Sequence, residues 1–596
     1  MDVLLIDNLF LEYGPMGPSA TFYPHLGLLS VAAQLAGTEL SVGILDPKME
    51  YCAFIEGGTT YDFDTTLINT ILSYKPRLVG FTAYGVNFHH VTAWVRRLRS
   101  QAPEVKIALG GPHVSMLVDP IIDFLPEVDL IVVGECEERI VEAVNACLEG
   151  RLPHDGLARI RNRTLVSEAG RQRDMVECKL PELSFYVNAP HLDMERLTFP
   201  LEAGRGCPYE CTFCSTSEYF GRRYRVRSAD ELVDDIRALQ NRFGITNFEL
   251  THDIFGLRKQ FVREFCDRVR PLEVSWQCSM RPDQLAQDTV DLLASSGCTD
   301  VYLGFETGSA ILQSSIKKRL DLTHSEEAVK RLLDGGMGVT CSFITGFPDE
   351  TQWDLECTLN VVGRLLQIST SKLIVQLHLL APEPGSELGR HHVDALRFDG
   401  IGSDLQPIAR PELVTSNPRL FANHFYLDSS VGRACHVRAS VFIMLVLPTI
   451  GYSFTAWLVR QTAGSLALLF EGLVTKLAPH SDWTVEDLRI GMVETCYRRA
   501  ADYIGDEYLL SEYARFRDAV RYLSNHNGQS RGDTLLEFAT SDHTLEYTSA
   551  CDVVSFVNDL DLGNNPSKVQ EPDGRHWRIV VFQSGITVSA TSILLA

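Results

Sequence analysis

Three cysteines stand within eight residues, in Cys207-Pro-Tyr-Glu-Cys211-Thr-Phe-Cys214, at the spacing C-x3-C-x2-C. Three thiolates on one short loop can hold three corners of a cubic iron–sulfur cluster, and full thiolate ligation would take a fourth. The fourth iron is then open to a substrate or cofactor, which is a catalytic arrangement. Two other readings compete. A zinc site would recruit a further Cys or His nearby, and none follows at a finger-like spacing. A disulfide framework needs an oxidising compartment. Of the fifteen cysteines, the twelve outside the motif are scattered singly, several in apolar runs, as around Cys298, Cys341 and Cys496. That pattern suits reduced, buried thiols of a cytoplasmic protein.

The loop has to be positioned, and its neighbours predict how. It follows a strand-like run, residues 197–203, and a tight Gly204-Arg205-Gly206 turn. Residues 197–395 repeat a strand–helix rhythm, with strands at 197–203, Asn247–Thr251, Val274–Cys278, Asp300–Gly304, Gly338–Thr345 and Leu373–His378. Helices fall between them, as at Ala229–Phe243 and His324–Gly335. Six such units predict a partial (βα)6 barrel. In βα barrels reactive residues gather at the carboxyl ends of the strands, which places the cysteine loop at the mouth. Asp253, after the second strand, suits an ammonium; His252 beside it is as well suited to a structural hydrogen bond. Arg281, after the third, could clasp a carboxylate or lie on the surface. Glu306 follows the fourth, in Gly304-Phe-Glu-Thr-Gly308.

Residues 1–150 alternate buried apolar strands (3–7, 40–45, 78–82, 105–109, 130–133) with helices (26–35, near 64–74, 88–100, 136–149), around a polar, aromatic insertion at 51–64. This predicts a doubly wound, Rossmann-like α/β domain, whose ligands bind at the carboxyl ends of its strands. Those ends carry Thr82-Ala-Tyr84-Gly85, Gly110-Gly111-Pro-His113 and Gly134-Glu135. The glycines allow close approach of a large ligand, or punctuate turns. No G-x-G-x-x-G opens the first helix, which disfavours a dinucleotide. Residues 151–196, polar and with Pro153, Pro181 and Pro190, predict a linker.

Residues 396–596 predict a mixed, mainly helical region. It has helix over 484–525, and beyond 534 a small α+β, winged-helix-like module with strands at 535–538, 577–582 and 586–590 and a helix near 551–560. Residues 439–459 are uncharged and reach spanning length, but Pro448 and Gly451 interrupt them, so they predict a pair of buried helices and no membrane. The N-terminus, without a basic n-region or a small-residue cleavage site, is expected to carry no signal peptide. The length, 596 residues, predicts three or four domains. A net charge of −23 argues against neutralising a nucleic-acid backbone.

The cysteine spacing, with Phe213 just before the last cysteine, resembles the signature of the radical S-adenosylmethionine (radical SAM) family. Pro24-His-Leu-Gly27, Gly110-Gly111-Pro-His113 and Gly134-Glu135-Cys-Glu137 resemble the cobalamin-binding domain that precedes the barrel in the cobalamin-dependent members. The resemblance implies a [4Fe-4S] cluster on Cys207, Cys211 and Cys214, S-adenosyl-L-methionine (SAM) on the fourth iron, and cobalamin. It implies that Asp253 meets the methionine amine, and Arg281, Glu306 and Gly308 the carboxylate or ribose. Ile344 and Gly346, in Ser342-Phe-Ile-Thr-Gly-Phe-Pro-Asp-Glu350, match an adenine-binding pattern G-x-I-x-G-x-x-E whose first glycine is Ser342 here. Thr82, Tyr84, Gly85, Gly110, Gly111, His113, Gly134 and Glu135 would surround cobalamin. The D-x-H-x-x-G pattern that supplies a cobalt-ligating histidine is absent, so the lower cobalt face is expected to lack one, with His113 at the corrin periphery or a plain loop residue.

The implied activity is C-methylation of a natural-product precursor or peptide, with methyl passing from SAM by way of methylcobalamin and an external flavodoxin- or ferredoxin-type electron donor. Alternatives are ring closure or rearrangement without methyl transfer, and a polar methylation of an sp2 carbon. The polar route resembles that of the thiostrepton tryptophan 2-methyltransferase; there a protein carboxylate, here Glu231 or another residue, would block the fourth iron. A tRNA methylthiotransferase would need an N-terminal cysteine-bearing cluster domain and a basic tail, and Cys52, Cys136 and Cys147 are not so arranged. A cobalamin-binding sensor or carrier with a structural cluster is the non-enzyme alternative.

Overall fold

The structure, a computed structural model, describes residues 1–9, 22–56, 62–153, 158–168, 182–188, 197–477 and 484–504, with short segments elsewhere. Its first sheet is built from β1 (Val3–Ile6), β2 (Val42–Leu45), β3 (Leu78–Thr82), β4 (Lys106–Gly110), β5 (Leu130–Val132), β6 (Ala158–Arg161) and β7 (Thr164–Ser167), in the order β2-β1-β3-β4-β5-β7-β6. All neighbours run parallel except β7 and β6. The continuous apolar runs Val3-Leu-Leu-Ile6 and Leu78–Phe81 are buried on both faces, as parallel strands covered by helices must be. One face packs against Val91, Trp94, Val95 and Leu98 of helix Phe88–Gln101. The other packs against Leu28, Leu29, Ala32 and Leu35 of helix Leu26–Leu35 and Ala143, Val144 and Cys147 of helix Ile140–Glu149.

Two expectations are revised here. The stretch expected as a linker supplies β6 and β7, so the sheet has seven strands rather than five. The strand-forming part of that stretch is short and carries Arg159 and Arg161, which pair with Asp119, Asp123 and Glu168 at the sheet edge. Part of the expected insertion at 51–64 belongs to a helix, Pro47–Glu56.

The second sheet begins with β8 (Thr198–Glu202). A two-residue hairpin follows, β9 (Gly204–Arg205) against β10 (Arg225–Val226). The sheet continues with β11 (Asn247–Thr251), β12 (Ser275–Met280), β13 (Cys298–Glu306) and β14 (Gly338–Thr345), parallel in the order β8-β11-β12-β13-β14. A further strand, β15 (Leu373–Leu379), follows in the chain. Burial alternates with the two-residue strand period. Phe248, Leu250, Trp276 and Cys278 are buried, and Phe255, Phe261 and Phe265 pack edge-on around Trp276 or one another. The alternate positions are polar, Glu249, Thr251, Gln277 and Ser279 among them, and Gln277 Nε2 donates to Glu249 Oε2 at 3.3 Å.

Helix Ala229–Phe243 starts at a capping box: Ser228 Oγ accepts from Glu231 N at 3.2 Å, while the Glu231 carboxylate accepts from Ser228 N at 3.2 Å and from its hydroxyl at 2.8 Å. Gly244, at φ 70°, ends it. Glu231 is therefore committed to a helix start, and the idea that it occupies the fourth iron is set aside.

The chain divides into two compact units, one of Met1–Glu306, Ala310–Glu350 and Leu379–Ser430, the other of Thr307–Ser309, Thr351–His378 and Val431–Ala596. Within the second, residues 433–461 form two helices split at Gly451 (φ 92°), with Phe442, Val446, Phe454 and Trp457 buried. Arg433–Ile450 is, among the described residues, the one helix long and apolar enough to cross a bilayer, and 61% of it is buried in the protein. Of the helix expected over 484–525, Val485–Ile504 is seen, and most of 505–525 lies outside the described residues. Four antiparallel strands, β16 (Ala539–Ser541), β17 (Thr544–Ser549), β18 (Arg575–Phe582) and β19 (Thr587–Leu594), form the C-terminal sheet. The strand expected at 535–538 and most of the helix expected near 551–560 lie outside the described residues.

Candidate active site

The cysteine loop leaves the hairpin at Gly206, whose φ is 85° and where a Cβ would meet the Arg223 carbonyl oxygen at 1.9 Å, so only glycine fits. Gly206 N donates to Asp253 Oδ2 at 2.7 Å. Farther along, Thr212 N donates to the Ile316 carbonyl at 3.0 Å, Leu388 N donates to the Thr212 carbonyl at 2.8 Å, and Cys214 N donates to that of Cys211 at 3.2 Å. Phe213 stands edge-on to Phe347, centroids 5.9 Å apart, against an apolar cluster of Leu312, Ile316, Phe347 and Leu380. The loop's shape is thus fixed by backbone bonds and one aromatic anchor, and of the three half-buried thiols Cys207 also meets the Tyr209 backbone and Cys214 meets Thr216. Burial pushes all three thiols up, Cys211 to about 11 against the opposing pull of Lys318. Ligation takes the thiolate, so metal binding at this loop releases protons.

Charged groups surround it. The Arg281 guanidinium lies 4.0 Å over the ring of Tyr209, inside the motif; it pairs with Asp283 at 2.8 Å and donates to the Lys318 carbonyl at 3.1 Å. Lys318 Nζ meets Glu306 Oε1 at 2.8 Å, both side chains about nine-tenths buried. Burial opposes the lysine charge, but Glu306 and Cys211 outweigh it and raise its pKa. Glu306 sits at φ 66°, beside a register shift that ends the β13–β14 pairing. At the end of β14, Gly346 (φ 100°) and Phe347 donate to Glu350 Oε2 at 2.6 and 3.2 Å, while Thr345 Oγ1 donates to Oε1 at 2.9 Å. Ile344 lies one residue before this turn and packs on the Phe213–Phe347 cluster. His252 is used structurally, with Nδ1 accepting from Ile254 N at 2.9 Å and Nε2 3.1 Å from the Arg225 carbonyl. Gly308 belongs to the second unit, where its N–H donates to Thr358.

At the carboxyl edge of the first sheet, the predicted loops are laced together: Ala83 N donates to the Gly110 carbonyl, His113 N to the Ala83 carbonyl, and Gly134 N to Ser115 Oγ. A Cβ on Gly111 would meet Ala83 O at 2.7 Å and Thr82 Oγ1 at 3.0 Å, and one on Gly85 would fall on Asn423. These two glycines serve close packing of loops. Tyr84 Oη lies 3.4 Å from His25 Nε2. A buried polar set completes the edge. Asp7 accepts from Tyr186 Oη at 2.8 Å, Lys48 Nζ lies 3.3 Å from Asp46, and Asp46 Oδ2 is buried with no hydrogen-bond partner. Glu135 gives one carboxylate oxygen to Arg205 and the other to Arg225, at 2.7 Å each.

Family models now decide the identity. The B12 binding domain matches residues 16–144 and the Radical SAM superfamily matches residues 201–362. The chain is a radical SAM enzyme with a B12-binding domain. It is 27% identical over 62% of its length to an uncharacterized methyltransferase of Pyrococcus horikoshii, covering 78% of that protein. It is 28% identical over 51% of its length to an anaerobic magnesium-protoporphyrin IX monomethyl ester cyclase of Cereibacter sphaeroides, covering only 52% of it. Among solved structures it shares the fold of TsrM, a radical SAM methyltransferase from Kitasatospora setae with cobalamin and a [4Fe-4S] cluster bound. That likeness has a TM-score of 0.54 at 18% identity, over 84% of this chain and all of the other.

The cofactors of the radical SAM and B12-binding domains, a [4Fe-4S] cluster, SAM and cobalamin, fit the residues present. The three thiols carried by one short loop suit three-cysteine ligation of a cluster. All described cysteines are free. The partnerless Asp46 oxygen and the polar set around it suit the amide-bearing rim of a corrin. His113 is buried against Phe88, ring centroids 4.7 Å apart.

The motif drew attention to Asp253, Arg281 and Glu306, and the structure groups Asp253 and Arg281 directly with the cysteine loop. Lys318 carries no signal in the sequence, and Tyr209, Arg205 and Glu137 stand there only inside motifs, without a role of their own. Lys318 sits in Lys317-Lys-Arg319, which reads as surface charge; left-handed backbone at Lys317 and Arg319 turns it inward.

Burial also holds six histidines of the first unit neutral: His25 and His89 are driven down, His90 and His113 to about 3, and His252 and His424 to about 4. A histidine whose folded pKa is depressed contributes stability that is full above its unfolded value of about 6.5 and is lost as pH falls toward the folded one. Lowering pH from 8 to 5.5 is expected to cost about 1 kcal/mol per histidine. Urea midpoints at the two pH values test this, and His113→Gln should flatten the dependence; equal midpoints for the native chain would refute it.

Proposed function

We propose that the chain is a cobalamin-dependent radical SAM C-methyltransferase acting on a natural-product precursor or peptide. The observation that carries the reading is that the cysteine loop and the ligand edge of the B12-binding domain belong to one compact unit and are joined through Arg205 to Glu135 and Glu137. The methyltransferase names of the Pyrococcus and Kitasatospora relatives support it. When bound, the cluster supplies an electron that opens the SAM sulfonium, and cobalamin a cobalt that takes up and passes on a methyl group.

The chain's own residues hold and orient. Cys207, Cys211 and Cys214 hold the cluster. Asp253 fixes the loop at Gly206 and presents its carboxylate to the methionine amine. Arg281, held flat on Tyr209, offers a planar cation to a carboxylate. Glu306 keeps Lys318 charged beside Cys211. The turn at Gly346, braced by Glu350, seats the adenine, and Phe213 with its apolar neighbours excludes water from that side. Thr82, Tyr84 and Gly110 line the cobalamin edge. The free cysteines suit a reducing, cytoplasmic setting with a flavodoxin- or ferredoxin-type donor. Ring closure without methyl transfer is the second reading, favoured by the Cereibacter cyclase relative.

Anaerobically reconstituted protein given SAM and reductant should methylate its cobalamin and release 5′-deoxyadenosine. Cobalamin methylation without 5′-deoxyadenosine would indicate polar transfer, and 5′-deoxyadenosine alone the cyclase reading. Neither product from fully loaded protein would defeat the methyltransferase assignment.

A further inference from the structure

One cluster of charges joins the two halves of the site described above. Arg205 lies two residues before Cys207 and directly across the hairpin from Arg225. Its Nε donates to Glu202 Oε1 at 2.5 Å and its Nη2 to Glu202 Oε2 at 2.9 Å. Nη1 donates to Glu135 Oε1 at 2.7 Å and Nη2 to Glu137 Oε1 at 2.6 Å. Arg225 Nη2 takes the other Glu135 oxygen at 2.7 Å. The side chains of Arg205, Arg225 and Glu137 are 12%, 9% and 8% exposed, so the pairs are shielded from water and salt. Two domains contribute: Glu135 and Glu137 flank Cys136 in the turn after β5, and the arginines stand on the hairpin that launches the cysteine loop.

Buried ion pairs are weak evidence for stability, because desolvation offsets most of their attraction. Forked arginine–carboxylate pairs do specify geometry. Each half of this cluster is also tied to a backbone that cannot drift. Gly206 follows Arg205 in a left-handed conformation pressed on Arg223, and Gly134 precedes Glu135 at φ 68°, its N–H held by Ser115. Glu137 further accepts from Ser30 at 3.4 Å on helix Leu26–Leu35. A displacement of the B12-binding domain relative to the cysteine loop would break the three pairs of Glu135 and Glu137 with Arg205 and Arg225 in a buried place, leaving Arg205 only Glu202.

We propose that Arg205, with Arg225, Glu135 and Glu137, is a latch that fixes the B12-binding domain on the cysteine loop, so that Arg205 is a positioning residue for transfer between the two cofactors. The proposal rests on the two-cofactor reading above. A misplacement of about 1 Å can cost about 100-fold in rate, which is the scale expected when the latch is opened.

The test uses the full chain loaded with cluster and cobalamin, as native protein, Arg205→Met, Arg205→Lys and Glu137→Gln. Iron and cobalamin per chain report integrity. The magnetic interaction between the reduced cluster and cob(II)alamin in electron paramagnetic resonance reports their separation, and SAM-dependent cobalamin methylation reports transfer. Arg205→Met should keep cobalamin, broaden or lose the single interaction value of the native protein, and slow methylation about 100-fold; Arg205→Lys should recover part of both. If Arg205→Met loses iron, Glu137→Gln, which lies on the other domain, decides with the same expected shift. A fully loaded Arg205→Met or Glu137→Gln with native interaction and native methylation overturns the latch. Failure of the native protein to methylate cobalamin would instead defeat the proposed function, while the magnetic interaction in the variants would still decide the latch.

Discussion

Cys211→Ala is expected to yield a chain that folds and binds cobalamin but holds no [4Fe-4S] cluster. Iron should fall to background, the iron–sulfur absorbance should vanish, and SAM cleavage should be lost with it. The separation of chemistry from folding follows from how the loop is built. Its conformation comes from the Thr212 N–H and carbonyl, the Gly206–Asp253 bond and the packing of Phe213, none of which uses a cysteine sulfur. Truncating one half-buried thiol removes little apolar area, so the cost to the fold stays small. The cost to the cluster is total, because the loop offers three thiolates and removing one leaves two. Cobalamin content should hold, since its edge lies on the other domain. Metal analysis, absorbance and 5′-deoxyadenosine release check the expectation together; a Cys211→Ala protein that retained its cluster would remove Cys211 from the ligand set.

Much of this site could be read from residue order alone. Strand ends in a βα architecture are marked by an apolar run meeting a glycine or a charged residue, and Thr251-His-Asp253, Met280-Arg281 and Gly304-Phe-Glu306 announce themselves in that way. Long helices with strong caps were legible too: Ser228-Ala-Asp-Glu231 is a capping box in sequence, and attention to it would have removed Glu231 from the cluster at once. What escaped was whatever depended on the third dimension. β6, Ala158-Arg-Ile-Arg161, is an edge strand with no buried residue, Arg159 and Ile160 both exposed, and charged edges are how sheets avoid further pairing; locally that is indistinguishable from linker. Lys318 is hidden by its two charged neighbours. Arg205 and Glu137 are separated by 68 residues, and no periodicity links a turn of one domain to a hairpin of the next.

Glu350→Ala is the second large effect expected, and it acts on the turn proposed above to seat the adenine. The carboxylate is 1% exposed and satisfies three donors at once: Thr345 Oγ1, Gly346 N and Phe347 N. Removing it leaves two buried amides and a hydroxyl without this acceptor, each unmade bond costing about 1–3 kcal/mol, so roughly 3 kcal/mol in local stability even if water recovers part. The loss should be local because Leu380 N still donates to the Thr345 carbonyl at 2.8 Å and holds the end of β14. Amide exchange is therefore the measurement of choice: protection of Gly346 and Phe347 should fall roughly 100-fold, while Phe248 and Leu250 in β11 keep theirs. Because Phe347 carries the anchor for Phe213, loosening this turn reaches the cysteine loop as well as the Ile344–Gly346 seat, and the dissociation constant for SAM should rise by a similar factor. Glu350→Gln keeps one acceptor oxygen and should lie between the two. Unchanged protection at Gly346 in Glu350→Ala would mean that the left-handed turn is set by Gly346 alone, and that the carboxylate is not what shapes the adenine seat.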